Sequence, residues 1–263
     1  MNPENAIEIN NLRCGYGGRD VLDIPRLEVP ARSFVAVIGP NGSGKTTLAR
    51  VISGVIPRRA GSIRINGRED SSLTRRARAR ALAVVNQNLE VGQITVEEYV
   101  LMGRIPHRPP VRFFETSAEV AIARENTRLT GIDAARHRPM NQLSGGERQL
   151  AAIARALTQE TGILLLDEPT AHLDIAHQVR ILDLARRLNR EKGITVLLII
   201  HDLNLASSYC DHLVLLDHGA PRFTGSPAEV LTADHVESVY GARVSILPGP
   251  YPGRPLVIPL GDR

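Results

Sequence analysis

The run Gly39-Pro40-Asn41-Gly42-Ser43-Gly44-Lys45-Thr46 constrains this chain more than any other stretch, because it fits G-x-x-x-x-G-K-[ST] in full. Average composition would produce such a match in on the order of one in a hundred chains of this length. The flanks sharpen it. Phe34-Val35-Ala36-Val37-Ile38 is a continuous apolar run, as in a strand buried on both faces, and Thr47-Leu48-Ala49-Arg50-Val51-Ile52 reads as helix. Strand, glycine-rich loop and helix tip together make an anion cradle. Glycines let the main chain wrap phosphate oxygens, and the helix start supplies free N–H groups and the positive end of its dipole. Gly39 through Thr47 are therefore expected to hold a nucleotide's phosphates, with Lys45 reaching the β- and γ-phosphates and the Thr46 hydroxyl ligating Mg²⁺.

A second strand end complements the loop. Ile163-Leu164-Leu165-Leu166 runs into Asp167-Glu168, and carboxylates at the C-terminal end of a buried parallel strand lie beside the phosphate loop in folds of this kind. Asp167 is expected to hold Mg²⁺ through water, and Glu168 to act as general base for the attacking water. Ile194 to Ile200 and Leu213 to Leu216 are further buried strands, and Ile175 to Arg190 has the pattern of an amphipathic helix. Apolar strands alternating with helices imply a largely parallel sheet covered on both faces. Thr95 with Glu98, Thr116 with Glu119, and Ser144 with Glu147 match capping boxes and mark three helix starts. Ile63-Arg64-Ile65 followed by Asn66-Gly67 predicts a strand and a tight hairpin turn.

Composition removes several classes. At 263 residues, 43% apolar and 23% charged, the chain suits one α/β domain with appended parts. No apolar run approaches the roughly 20 residues of a membrane span, and the start lacks a signal peptide's basic and apolar regions, so a cytosolic protein is expected. Cys14 and Cys210 are too far apart for a zinc spacing. A net charge of +4 does not choose a partner. The basic run Arg75-Arg76-Ala77-Arg78-Ala79-Arg80 lacks interleaved aromatics and reads as a solvated helix face, not a nucleic-acid contact.

Leu143-Ser144-Gly145-Gly146-Glu147 opens a helix with two glycines, a poor choice for helix stability but one that suits bare N–H groups aimed at an anion. With the loop and the Asp-Glu strand end, this segment resembles the signature sequence of the ABC family, and the resemblance covers nearly the whole chain. Gln87 matches the family's Q-loop glutamine, Ala171-His172-Leu173-Asp174 its D-loop, His201 its switch histidine and Tyr16 the aromatic that stacks on adenine. The resemblance implies that Ser144, Gly145 and Gly146 contact ATP held by a second copy of the chain, with Asp174 at the same interface. It further implies that His201 touches the γ-phosphate, and that Gln87 senses Mg²⁺ and the attacking water. Two copies would then pair head to tail around two ATP molecules.

Val96 to Arg104 with Pro106-His107, His172 to Gln178, and His201 to Ala206 resemble ATPases of bacterial importers for iron–siderophore complexes, haem or cobalamin. That implies a peripheral subunit on the cytoplasmic face of the membrane. Transmembrane permease subunits would dock near residues 87–108, and a substrate-binding protein would act indirectly. His107 reads as a surface residue near that groove, not a metal ligand. The alternative is a non-transport ABC ATPase of translation or DNA repair. The single cassette and the absence of a long coiled-coil insert argue against it, and no Asn-Lys-x-Asp motif supports a GTP-binding regulator. The expected fold is an α/β P-loop NTPase (RecA-like) core over residues 1–87 and 161–245. It would carry an N-terminal antiparallel β subdomain, an α-helical signature subdomain over 88–160 and a tail over 246–263.

Overall fold

Two long strands open the chain in the computed structural model, which describes residues 4–87, 92–109, 112 and 114–261. β1 (Asn5–Tyr16) and β2 (Arg19–Pro30) pair antiparallel across Gly17-Gly18. Besides Ala6 at its start, the buried residues of β1 are Ile7 and Ile9, then Leu12 and Cys14. The switch from odd to even positions occurs at Asn11, whose φ of 48° marks a bulge where pairing with the next strand also slips. β3 (Phe34–Ile38) is buried at all five positions and leads through the phosphate loop into α1 (Lys45–Ser53). β4 (Ala60–Ile65) returns to β1, with Ile65 opposite Ile7 and Ile63 opposite Ile9, and β5 (Arg68–Glu69) folds back on it. Asn66 and Gly67 turn that hairpin at φ of 49° and 74°, the left-handed geometry the dipeptide favours. The first sheet therefore runs β2-β1-β4-β5.

α2 (Arg75–Ala81) carries the basic run and precedes β6 (Leu82–Val85). The expected solvated face is corrected in part: no residue of α2 is buried and Arg75 and Arg80 are exposed, but three of the arginines are bonded to main chain. Arg76 and Arg80 both donate from Nε to the Pro106 carbonyl, at 2.7 and 2.8 Å, and Arg78 donates to the Asp70 and Ile52 carbonyls. The arginines staple α2 to neighbouring main chain, using guanidinium geometry that a solvated lysine face would not need.

From β6 to β7 (Ile163–Asp167) the described chain is helical. It holds α3 (Val96–Leu101), a 3-10 stretch over Met102–His107 containing Pro106, α4 (Ser117–Thr130) and α5 (Gly145–Thr158). All three α-helices start on the capping boxes read from the sequence. The boundary placed at residue 88, and the part of the docking region over 88–91, lie outside the described residues. His107 is half-buried, with Nε2 2.9 Å from the Gln159 carbonyl at the end of α5.

Strand and helix then alternate: α6 (Ile175–Lys192), β8 (Thr195–Ile199), α7 (Leu203–Tyr209), β9 (His212–Asp217) and β10 (Ala220–Gly225). The second sheet runs β10-β9-β3-β8-β7-β6, parallel throughout except for β10 at its edge. Ala36, Ile38, Leu164, Leu166 and Leu198 pack against the helical side, whereas Val35, Val37, Leu165 and Leu197 pack against α1 and the antiparallel sheet. Burial on both faces explains why these strands read as unbroken apolar runs. α8 (Pro227–Val230), α9 (Ala233–Tyr240) and a hairpin of β11 (Val244–Leu247) and β12 (Leu256–Pro259) finish the chain. The hairpin is fastened to α7, where the Asn204 side chain accepts from the Val257 amide at 2.8 Å and donates to its carbonyl at 3.2 Å.

Asp211 ties three elements together. Arg186 on α6 donates to both of its carboxylate oxygens at 2.8 Å, and Arg254 from the terminal hairpin approaches to 3.4 Å. Burial alone would push this carboxyl up, but the Arg186 bonds and the two guanidinium charges hold it below the usual carboxylate range. A carboxyl lowered in the folded state stabilises above its unfolded value near 4, and the contribution is lost as pH falls through the folded value. Asp211→Asn is expected to cost about 1 kcal/mol in urea denaturation at pH 7, a figure reduced for partial exposure. The gap between the two proteins should close as pH drops below about 4.

Candidate functional site

Four parallel strands deliver the site residues to one edge of the sheet. β3 ends at Ile38 before the loop, β7 ends at Asp167, β8 leads to His201 and β6 leads to Gln87. Ligands in open α/β sheets bind outside the carboxyl ends of the strands, and the chemistry gathers there. The loop needs its glycines for two separate reasons. At Gly39, φ is 149° and a Cβ would lie 2.2 Å from the Leu216 carbonyl oxygen. At Gly44, the N-cap of α1, φ is 100° and a Cβ would lie 2.5 Å from Leu22 Cδ2. Neither position admits an L side chain without moving its neighbour.

Lys45 begins α1 and is only 4% exposed. Its Nζ donates to the carbonyls of Gly39 and Pro40, each at 2.8 Å, so the loop is closed around its own cation. Burial lowers the Lys45 ammonium from its usual range, against the opposing pull of Glu168 and Asp167. Asn41, Gly42, Gly44, Lys45, Thr46 and Thr47 wall a cleft of about 340 Å³, with Gln87, Glu168 and His201 on its far side. Ser43 is buried beneath it, and its Oγ has no hydrogen-bond partner among the described residues.

Glu168 is the hub of the far wall. Its backbone sits at φ 51°, an uncommon state for a non-glycine residue that is held by its amide bond to the Ile199 carbonyl at 3.0 Å. Gln87 Nε2 donates to one carboxylate oxygen at 2.8 Å, and His201 Nε2 contacts the other. Two donors from two different strand ends therefore orient one nearly buried carboxylate, the arrangement a positioned general base requires.

Asp167 lies in an adjoining recess with Thr46 and Gln87. It is 5% exposed, and its Oδ1 has no partner among the described residues. Burial, then the neighbouring Glu168 charge, pushes its carboxyl up to about 6, while Arg50 and Lys45 pull the other way. Folding therefore favours the protonated form, and an ionised Asp167 works against the fold above about pH 6. An orphaned, buried carboxylate oxygen beside a threonine hydroxyl and a glutamine amide fits a divalent cation. Among the described residues no three His, Cys, Asp or Glu side chains cluster to hold one alone. An Asp167 carboxylate and a Thr46 hydroxyl are as many protein ligands as Mg²⁺ takes, since it completes its shell with substrate phosphates and water.

The remaining expected residues lie elsewhere. Tyr16, at the end of the first hairpin, is 45% exposed, and its hydroxyl accepts from Arg50 at 3.3 Å. Ser144 caps α5, Gly145 and Gly146 form its first turn, and Asp174 caps α6. Among the described residues, none of these five lines the Lys45 cleft. Residues that border the site yet escape sequence reasoning include Val21 and Arg50. Val21 of β2 closes one wall, a placement with no local signal. Arg50 shares the Asp167 recess, and its i+4 spacing from Thr46 on α1 was the available clue.

With this geometry in place, likeness to known proteins is informative. The family described as ABC transporter matches residues 22–171. The ferric enterobactin transport ATP-binding protein FepC of Escherichia coli (strain K12) is 41% identical over 95% of this chain and 92% of its own. The hemin import ATP-binding protein HmuV of Streptomyces coelicolor is 40% identical over 94% of this chain and 88% of its own. Among solved structures, a bacterial ABC transporter cassette solved as a dimer superposes with a TM-score of 0.75 at 28% identity, covering 84% of this chain and 98% of that one.

Proposed function

The chain belongs to the ABC transporter family as its ATP-binding, ATP-hydrolysing subunit, and on that premise we propose that it energises uptake of an iron–siderophore, haem or cobalamin type complex. The cargo class follows the relatives, which are named for ferric enterobactin and hemin. A single observation carries the chemistry: Lys45, Gln87, Glu168 and His201 converge on one cleft at the carboxyl ends of the strands. Lys45 and the loop amides bind the β- and γ-phosphates, and the closed loop carbonyls around Nζ exchange for phosphate oxygens. Glu168 takes the proton of the attacking water, while Gln87 and His201 hold its carboxylate in line. Thr46, Asp167 and Gln87 would hold Mg²⁺, which neutralises charge on the β- and γ-phosphate oxygens when bound.

Tyr16 is assigned to the adenine by resemblance alone. Ser144, Gly145, Gly146 and Asp174 stand apart from the cleft, which supports a role on the nucleotide of a second copy in a head-to-tail dimer. Residues 1–87 and 161–245 act as the nucleotide-binding core and 88–160 as the helical part that carries the signature. Among the described residues no helix is long and apolar enough to cross a membrane, so transport requires separate permease subunits. We place their docking near residues 87–108, with the chain peripheral on the cytoplasmic side.

Ser144→Arg tests the composite site and the transport role together. The tagged variant is expected to co-purify with a permease from membranes and to bind ATP as a monomer. Uptake of labelled ferric siderophore should fall to background, because a guanidinium replaces the hydroxyl at the tip of α5. Wild-type uptake in that variant, or capture of ribosomes in place of a permease, would refute the assignment.

A further inference from the structure

His177 belongs to a stretch marked by resemblance, yet the phosphate chemistry does not use it. Its surroundings give it a different task. Asp174 caps α6 by accepting from the His177 amide at 2.8 Å, and the ring Nδ1 lies 2.9 Å from both Asp174 carboxylate oxygens. Capping explains the amide bond but not the ring's second contact. The opposite edge of the imidazole presses on a different helix. At Gly146, in the first turn of α5, a Cβ would lie 2.0 Å from His177 Cδ2 and 2.7 Å from Nε2. At Gly145 the same construction leaves 3.2 Å to Leu173 Cδ2. Gln178, the next residue, donates to the Thr170 and Leu173 carbonyls at 3.3 and 3.1 Å, which fastens the loop ahead of Asp174 to the same helix turn.

A planar ring wedged between a carboxylate and bare backbone fixes a distance. Glycine at position 146 costs about 1 kcal/mol in helix propensity relative to alanine, and the imidazole supplies a packing reason for that choice. We infer that His177 is a positioning residue, a strut that sets the spacing between Gly146 and Asp174 where both close over the nucleotide of a second copy. The inference rests on the head-to-tail reading above. The strut works without touching ATP. Its own chain's cleft, with Lys45, Glu168 and His201, is walled by other residues.

In the full chain, His177→Ala is expected to lower kcat for ATP by about tenfold or more, since small misplacements of catalytic groups carry losses of that order. KM and thermal midpoint should change little, because the amide of residue 177 still satisfies Asp174. His177→Asn, which offers an N–H toward Asp174 but no ring edge toward Gly146, should leave kcat low. A ring contact that only steadies the Asp174 carboxylate would instead leave kcat per folded molecule unchanged in His177→Ala, with any loss of midpoint recovered in His177→Asn; that pattern overturns the strut.

Mixed dimers locate the effect. When His177→Ala and Glu168→Gln share one chain, the live nucleotide on the wild-type chain faces the strutless helix, and turnover should be lost. When the two substitutions sit on different chains, the live nucleotide faces an intact strut, and turnover should persist. Turnover in both dimers overturns the strut. Turnover is read as single-turnover cleavage of the live nucleotide, against a mixed dimer carrying Glu168→Gln alone on one chain; on that scale equal loss in both overturns the head-to-tail reading, and with it the assignment of the strut to the other copy's nucleotide.

Discussion

Glu168→Gln should leave ATP binding intact while lowering steady-state hydrolysis by about 10²–10⁴-fold, the range over which a positioned general base contributes. The substitution keeps shape and one accepting oxygen, so the bond donated by Gln87 Nε2 at 2.8 Å can persist. What it removes is the proton acceptor. It also replaces one of the charges that push the Asp167 carboxyl up, so cation binding should not suffer. Because closure of two copies around ATP is reversed by hydrolysis in this scheme, the variant should accumulate as an ATP-bound dimer on size exclusion, where wild type stays monomeric after turnover. Phosphate release assays and dimer mass together check it. Hydrolysis within threefold of wild type would remove Glu168 from the base role and leave its left-handed φ of 51° without a catalytic reason.

How much of this site was legible beforehand depended on the range of the interaction concerned. Short-range chemistry read cleanly. The three capping boxes lie within four consecutive residues each, and all three begin helices. The phosphate loop carries its glycines where φ is positive and neighbours crowd in, so its sequence pattern is a direct record of local geometry. Parallel strands buried on both faces likewise announced themselves as apolar runs. Contacts between distant segments did not read. Arg76 and Arg80 looked solvated because their acceptor, the Pro106 carbonyl, is a main-chain group that no side-chain pattern marks. Asp211 gave no sign that guanidiniums from α6 and from the terminal hairpin would meet on it. Gly146 read as a bare helix tip, and the ring pressed against it comes from a helix start about thirty residues further on.

Lys45→Ala should weaken ATP binding by about 3 kcal/mol, roughly a hundredfold, and abolish turnover at millimolar nucleotide. The magnitude follows from losing charge-assisted hydrogen bonds to phosphate inside a partly dehydrated cleft, where each such bond contributes about 1.5–3 kcal/mol. The free chain should respond quite differently. Burial already works against the Lys45 ammonium, so truncation relieves a desolvation cost while leaving the Gly39 and Pro40 carbonyls without their donor. It also strips a counter-charge from Asp167 and Glu168. These opposing changes nearly cancel, and the thermal midpoint without nucleotide is expected to stay within a few degrees of wild type. The wild-type chain should gain several degrees on adding Mg·ATP, and the variant almost none, since binding to the native state stabilises in proportion to its affinity. The two measurements separate causes: calorimetric affinity reports the phosphate contact, and the midpoint without ligand reports the fold. A variant that binds ATP as wild type does would show that the loop amides and the α1 tip hold the triphosphate unaided. One that unfolds without ligand would show that the lysine's work is to close its own loop.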